Sequence, residues 1–462
     1  MKETRLSRRS FLRLSATSVL GMAALAACSP AVAPAQPTAA QAPAQATQAP
    51  APTTAPAASQ GVKIIHWDPS NTDENTKALD QGYGGFNTAQ SAYQVEVVHG
   101  KDEDAVLPAV AAGTPPDSFW RWNNTTYGSW INKKIIMDLT PYVQSSLLDW
   151  KRILPAALNA VQWRGKYFGM PLTSAGIGIF YWNKPWAQKA GLDPEKAPQT
   201  LSEVVEMSDK LTAKDASGNI TALGFHWNLG ALDWASLYNA DFWDGSAKLT
   251  PTEPAILSAF QWVADFYKHV GIDAIDRFIA GLPTGGYYSK TNPVCKDMEA
   301  EFAGYEWDFL FMTTESGCTA DKFGLAKMPP APDHPEYPTC TQGSVALVIP
   351  TGAAHPDGAW QFFEYLEGME PTGIICTGLI NCAQIVDAVD YVPYRDNQVL
   401  KLASDLAKNS KAFPGYIPVA AEYSTELGKA FDLVIHGKAT AQAALQGVYD
   451  TVQPLLDAAL KA

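Results

Sequence analysis

Neither a Gly-x-Ser-x-Gly nucleophile elbow nor a Walker phosphate loop occurs anywhere in the 462 residues. The seven histidines are scattered and form no His-Glu-x-x-His, and no two cysteines are spaced Cys-x-x-Cys, so no metal and no cofactor is expected. Basic side chains are few: 34 Lys and Arg face 47 Asp and Glu, a net charge of −13. Lys2, Arg5, Arg8, Arg9 and Arg13 crowd the first thirteen residues, opposed only by Glu3; the remainder carries 29 basic against 46 acidic groups, a net −17. Such a field repels a polyanion, which excludes nucleic acid as a partner. No internal repeat is visible.

What is present begins with a targeting signal. Residues 7–13 read Ser-Arg-Arg-Ser-Phe-Leu-Arg, and an apolar stretch follows from Leu14 to Ala27. A basic segment before a short apolar one is an export signal, too short to span a membrane comfortably. Paired arginines followed by Phe-Leu resemble the twin-arginine motif, whose route carries folded cargo. The run Leu25-Ala26-Ala27-Cys28 resembles a lipobox, which predicts cleavage after residue 27 and a lipid on Cys28. Residues 29–60 hold seven prolines, no charge and no periodic apolar face, so 28–60 reads as a disordered tether. As polyproline II, at ~3.1 Å per residue, it would reach about 100 Å. These segments place the chain on the extracytoplasmic face of a membrane and leave its chemistry open.

Five cysteines follow the anchor: Cys295, Cys318, Cys340, Cys376 and Cys382. An odd number leaves at least one free thiol, and Cys376–Cys382, closing a short loop, is the expected bridge. Cargo that folds in a reducing cytoplasm can form such bridges only late.

The globular part starts at Gly61. It exceeds the ~250–300 residues at which a single core stops growing, so two lobes are expected. Val62–Trp67 reads as a first strand and Tyr93–Val98 as a second, with a helix between them: the opening of a parallel sheet. Apolar strands recur at 177–180 and 345–349. Thr200-Leu201-Ser202-Glu203 is a capping box ahead of Val204, Met207 and Leu211 on one helical face. Further helical stripes run through Ile256, Phe260, Val263 and Tyr267, ended by Gly271, and through Ala359, Phe362, Phe363 and Leu366.

From Gly165 onward a family pattern emerges. Gly165-Lys166-Tyr167-Phe168-Gly169-Met170-Pro171, Phe180-Tyr181-Trp182-Asn183-Lys184 and Ala190-Gly191-Leu192, followed by the capped helix, resemble the middle of family 1 extracellular solute-binding proteins, the group of maltose-binding protein. Ala112-Gly113-Thr114-Pro115-Pro116-Asp117, Gly304-Tyr305-Glu306-Trp307, the strand at Val345, the Ala359-Trp360 helix and the C-terminal Gly437-Lys438-Ala439-Thr440 unit match in the same order. The sequence departs from the pattern at three places. Trp182 separates Tyr181 from Asn183, Glu306 intrudes before Trp307, and Cys382 follows Asn381 where proline is common.

The resemblance implies an α/β, two-lobed type II periplasmic-binding-protein fold with three hinge crossovers, near 172–177, 343–349 and 413–418, and a ligand cleft between the lobes. Lobe I would comprise 61–172 and 349–412, and lobe II 177–342 and 418–462. It further implies the substrate-binding lipoprotein of an ABC importer, a monomer taking a small carbohydrate and serving permease subunits driven by a separate ATPase. A polyamine is the alternative ligand within the family. A surface polysaccharide-degrading lipoprotein, glycosidase or lyase, is the alternative outside it; it would need two carboxylates at a set separation.

Sugar rings lay apolar faces on aromatic side chains and pair their hydroxyls with polar groups. Fourteen tryptophans make the search specific. Trp120 and Trp122 share one side of an extended chain, with Asn123 and Asn124 next to them. Trp67 and Asp68 end the first strand, where open sheets place ligands. Glu306, Trp307 and Asp308 occupy the family's cleft segment, and Trp227 and Trp234 flank a glycine-containing stretch.

Overall fold

The computed structural model describes residues 61–461, apart from 228, 284, 285, 333, 338 and 339. The expected signal segment 1–27, the expected lipid anchor Cys28, the expected tether 28–60 and Asn228 lie outside the described residues. Among the described residues no helix is long and apolar enough to cross a membrane.

The strands run β1 (Val62–Trp67), β2 (Tyr93–Val98), β3 (Ser118–Arg121), β4 (Gln162–Trp163), β5 (Lys166–Tyr167), β6 (Met170–Ser174) and β7 (Gly178–Asn183). They continue with β8 (Ala213–Lys214), β9 (Ile220–Trp227), β10 (Glu299–Tyr305), β11 (Phe323–Lys327), β12 (Thr341–Gln342), β13 (Ser344–Val348) and β14 (Lys411–Ala412). Ten of them form two five-stranded sheets, ordered β2-β1-β3-β13-β6 and β11-β7-β10-β9-β8. Each sheet mixes parallel and antiparallel pairs: β1 runs parallel to β2 and β3, while β13 is antiparallel to β3 and β6. In the second sheet β10 is parallel to β9 and antiparallel to β7. Two α/β lobes result.

Local sequence explains these elements. Every residue of β6 and β7 is buried, so both read as continuous apolar runs in sheet interiors. The helix Asp73–Gly84 between β1 and β2 starts where Thr72 accepts a hydrogen bond from the Asn75 amide. Thr200 does the same for Glu203, whose carboxylate returns to the Gln199 amide, and the helix Leu201–Leu211 then buries Leu201, Val204, Met207 and Leu211.

Only residues 175–177 separate β6 in the first sheet from β7 in the second. The other two crossings contain β12 and β14, which pair in parallel, Thr341 with Lys411 and Gln342 with Ala412. Because β13 lies wholly in the first sheet, the chain has returned to the first lobe by Ser344, ahead of the 349 boundary drawn from sequence. After β14 the helices Ala420–Ile435 and Ala441–Lys461 join the core of the second lobe.

The expected Cys376–Cys382 bridge is not formed. Cys295 and Cys318 are bonded instead, and Cys340, Cys376 and Cys382 are free and buried. Cys376 is enclosed within the helix Met369–Leu379, whereas the Cys382 thiol turns to the Ala383 carbonyl and the Tyr394 hydroxyl.

Candidate functional site

A cavity of about 270 Å³ opens between the lobes. The first lobe contributes Trp120, Trp122, Asn75 and Asn381, with Ser174 at the end of β6; the second contributes Trp307, Tyr288, Leu310 and Phe311; Ala175 of the first crossover lies between them.

Trp120 sits in β3, fully buried, its indole N–H donating to the Val345 carbonyl at 3.4 Å. Two residues on, Trp122 is 37% exposed and meets Trp120 edge to face, centroids 5.7 Å apart. Arg121 between them is buried the other way. Its guanidinium lies 4.9 and 4.8 Å from the Tyr127 and Trp130 rings and donates to Glu103 at 2.8 Å, to Thr126 and to the Asn123 carbonyl. Buried Arg121, paired with the partly buried Glu103, fixes the loop that carries Trp122, Asn123 and Asn124.

Across the cavity, Trp307 stacks on Tyr305 with centroids 5.2 Å apart and lies 5.4 Å from Tyr288. Tyr305 is anchored by its hydroxyl, which donates to Asp233 at 2.8 Å. Its ring packs so closely on Gly176 (φ +120°) that a Cβ there would meet it at 2.4 Å, so the crossover requires glycine for space and for backbone conformation.

A second cavity, of about 400 Å³, adjoins the other side of Trp122 and is lined by Asn123, Asn124, Asp233, Tyr305 and Thr341. Asn123 also accepts from the amide and hydroxyl of Thr125 at 2.9 Å. Asp233 is committed to Tyr305 and Thr341, and burial raises its pKa.

Six residues singled out from sequence are placed elsewhere. Glu306 is fully buried and spends its carboxylate on Ser174, the Ile177 amide and the Cys382 amide; burial raises its pKa against the pull of these donors. Asp308 is buried beneath Trp307. One oxygen accepts from the Tyr305 amide at 2.8 Å, the other has no partner, and burial pushes its pKa up to about 7. Asp68 is buried between the Ser70 amide and His99, 2.8 Å away, and Trp67 is half-buried under Lys101. Trp227 and Trp234 pack edge to face at 4.2 Å inside the second lobe, and the Trp234 indole N–H is used by the Ala259 carbonyl. The cavities are lined by none of the six.

Asn75 is a site residue that sequence reasoning missed. It lines the first cavity, and its side-chain oxygen is buried and has no partner. The available signal was its place just after the helix cap at the end of β1. Nothing local marked Tyr288, Phe311 or Asn381. Among the described residues no group of three or more His, Cys, Asp or Glu is arranged to hold a metal.

Comparison with known structures supports the two-lobed fold. CpMnBP1 with mannobiose bound superposes with a TM-score of 0.69 at 22% identity, covering 84% of this chain and 99% of that one. The maltose/maltodextrin-binding domain MalE of Bdellovibrio bacteriovorus bound to maltotriose gives 0.66 at 15% identity, covering 87% and 100%. A solute-binding protein from Thermotoga lettingae bound with α-D-tagatose gives 0.68 at 18% identity, covering 86% and 100%. Among curated sequences, the "Probable amino-acid ABC transporter periplasmic-binding protein" of Sinorhizobium fredii is 43% identical over 53 residues; that alignment spans 12% of this chain and 12% of that relative's length. The sequence itself matches the bacterial extracellular solute-binding protein family over residues 70–372, well over half of its length. The chain therefore belongs to that family of extracellular binding receptors, which are not enzymes.

Proposed function

We propose that this solute-binding protein captures a neutral carbohydrate between its lobes and delivers it to the permeases of an ABC importer. One observation carries the reading: an uncovered indole from each lobe, Trp122 and Trp307, with the buried Trp120 behind the first, flanks a cavity to which none of the described Asp, Glu, Lys, Arg or His residues contributes. Aromatic faces suit the C–H faces of sugar rings, and the amides of Asn75 and Asn381 suit hydroxyls. A polyamine would need carboxylates, and an amino acid would need partners for both of its charges, because a buried ion without a counter-charge is costly. Among the described residues the adjoining cavity offers one charged side chain, Asp233, already engaged by two hydroxyls. Cleaving a glycoside would call for a pair of carboxyl groups, which the described residues of neither lining provide. The similar structures that hold mannobiose, maltotriose and tagatose point the same way.

The sequence contains no nucleotide-phosphate loop, so the energy of transport comes from a separate ATPase. In this reading the chain is a monomer, exported by the twin-arginine route and held on the extracytoplasmic face by a lipid on Cys28. Cys28→Ser should move it from the membrane fraction to the soluble fraction; wild-type protein already soluble contradicts the anchor.

Calorimetric titration with mannobiose, maltotriose, tagatose, spermidine and free amino acids tests the ligand class. Saturable binding of a neutral sugar with a change in tryptophan fluorescence is the expected result. Binding of spermidine or an amino acid alone overturns it.

A further inference from the structure

Glu306 and Cys382 both depart from the family pattern, and the structure joins them. They lie 76 positions apart, one after β10 of the second lobe, the other after the helix Met369–Leu379 of the first, yet the Cys382 amide donates to Glu306 Oε1 at 3.1 Å. The same oxygen accepts from the Ser174 hydroxyl at the end of β6, and Oε2 accepts from the amide of Ile177, the last crossover residue before β7. One fully buried carboxylate of the second lobe thus gathers a donor from each side of the first crossover and a third from the first-lobe segment that lies beside Ser174, whose amide donates to the Cys382 carbonyl at 2.8 Å.

We propose that Glu306 is a hinge clamp, a positioning residue that sets the angle between the lobes in the absence of ligand. Three donors converge on it, and a carboxylate is the side chain that accepts at both oxygens. Glutamine at this position would turn an N–H₂ toward one of those donors and leave a buried pair of donors facing each other. The Cys382 side belongs to the same device. A proline there, as the family pattern favours, has no N–H to give, so the amide of a non-proline residue and the intruding glutamate complete one another. The clamp also reaches the ligand cavity. Trp307 follows Glu306 directly, so fixing the carboxylate to Ser174 and Cys382 fixes the second-lobe indole opposite Trp120 and Trp122.

Small-angle scattering of the ligand-free, full-length chain reads the lobe angle with no assumption about the solute. Glu306→Gln and Cys382→Pro should each enlarge the radius of gyration, with the closed-to-open ratio falling roughly tenfold, as loss of a hydrogen bond to a charged group implies. Cys382→Ala, which keeps the amide, should not. Circular dichroism separates this from unfolding, because a buried carboxylate with a merely structural role would lower the melting temperature and leave the folded protein's radius alone. An unchanged radius in the folded variants, or an equal change with Cys382→Ala, overturns the clamp. Hydrogen exchange on the unaltered protein is independent of how the variants fold: slow exchange of the Ile177 and Cys382 amides is expected, and fast exchange of either refutes it.

Discussion

Trp307 and Trp234 belong to the same lobe, and the structure uses them in opposite ways. Trp234 is covered on all sides: Trp227 meets it at 4.2 Å, Trp262 at 4.8 Å, and its N–H is taken by a backbone carbonyl. Trp307 is supported from behind by Tyr305 and Tyr288 and is left half-buried at the edge of a cavity. An indole held in place while still uncovered is available to a ligand, whereas one that has used both faces and its N–H can only stabilise the fold.

The sharpest way to break this contrast is to truncate the core member. Trp234→Ala should cost about 3–5 kcal/mol of folding stability, the usual penalty for a buried tryptophan, while the protein that remains folded binds sugar as before. Denaturant unfolding beside titration checks it; weakened affinity at unchanged stability would move Trp234 into the site.

Asp308, beneath Trp307, offers a pH test. Its carboxyl is raised from 3.8 to about 7 by burial, so the folded state holds the proton more tightly than the unfolded chain. Its contribution to stability is therefore complete below pH 4 and is lost as pH rises through 7. The loss amounts to about 4 kcal/mol at most, the free-energy equivalent of a carboxyl raised that far. Asp308→Asn should flatten the fall in unfolding free energy between pH 4 and 7, and a profile that keeps its slope refutes the assignment.

Trp307→Ala should weaken sugar binding by about 2 kcal/mol, roughly thirtyfold in Kd, with little change in the melting temperature of the free protein. If the melting temperature falls and the Kd stays, the contrast with Trp234 is void. The smallest effect belongs to Asn75→Ala. Losing one acceptor for a hydroxyl should cost about 1 kcal/mol of affinity, near fivefold, and should not destabilise the free protein, since that oxygen has no partner to lose. Calorimetry resolves a change of that size.

What the sequence disclosed was local. β1 and β2 occupy the spans read from alternation, and the Thr200 helix starts at its capping box. Gly271, with φ +103°, ends the helix Pro254–Val270 as its position suggested. The i, i+2 spacing of Trp120 and Trp122 correctly put both on one side of an extended chain. Glu306 and Asp308 were singled out differently, as neighbours of Trp307 in the family's cleft segment, and there adjacency misled: Glu306 turns its carboxylate into the crossover, and the chain enters a helix at residue 308, so neither shares the exposure of Trp307. Trp227 and Trp234 looked loop-borne because of Gly230, yet β9 extends through Trp227 and the helix Ala231–Ser236 turns Trp234 inward. Distances between segments far apart in sequence, such as the approach of Cys295 to Cys318 or of Cys382 to Glu306, have no local signal.

The pairing of β12 with β14 has a mechanical consequence. Two strands sharing ladder hydrogen bonds cannot bend by different amounts without shearing those bonds, so the backbone rotations at Thr341–Gln342 and Lys411–Ala412 are correlated. Opening then has one soft coordinate, a single angle, where three independent tethers would allow a fan of orientations. Probes placed anywhere on the two lobes should accordingly relax with one common rate constant.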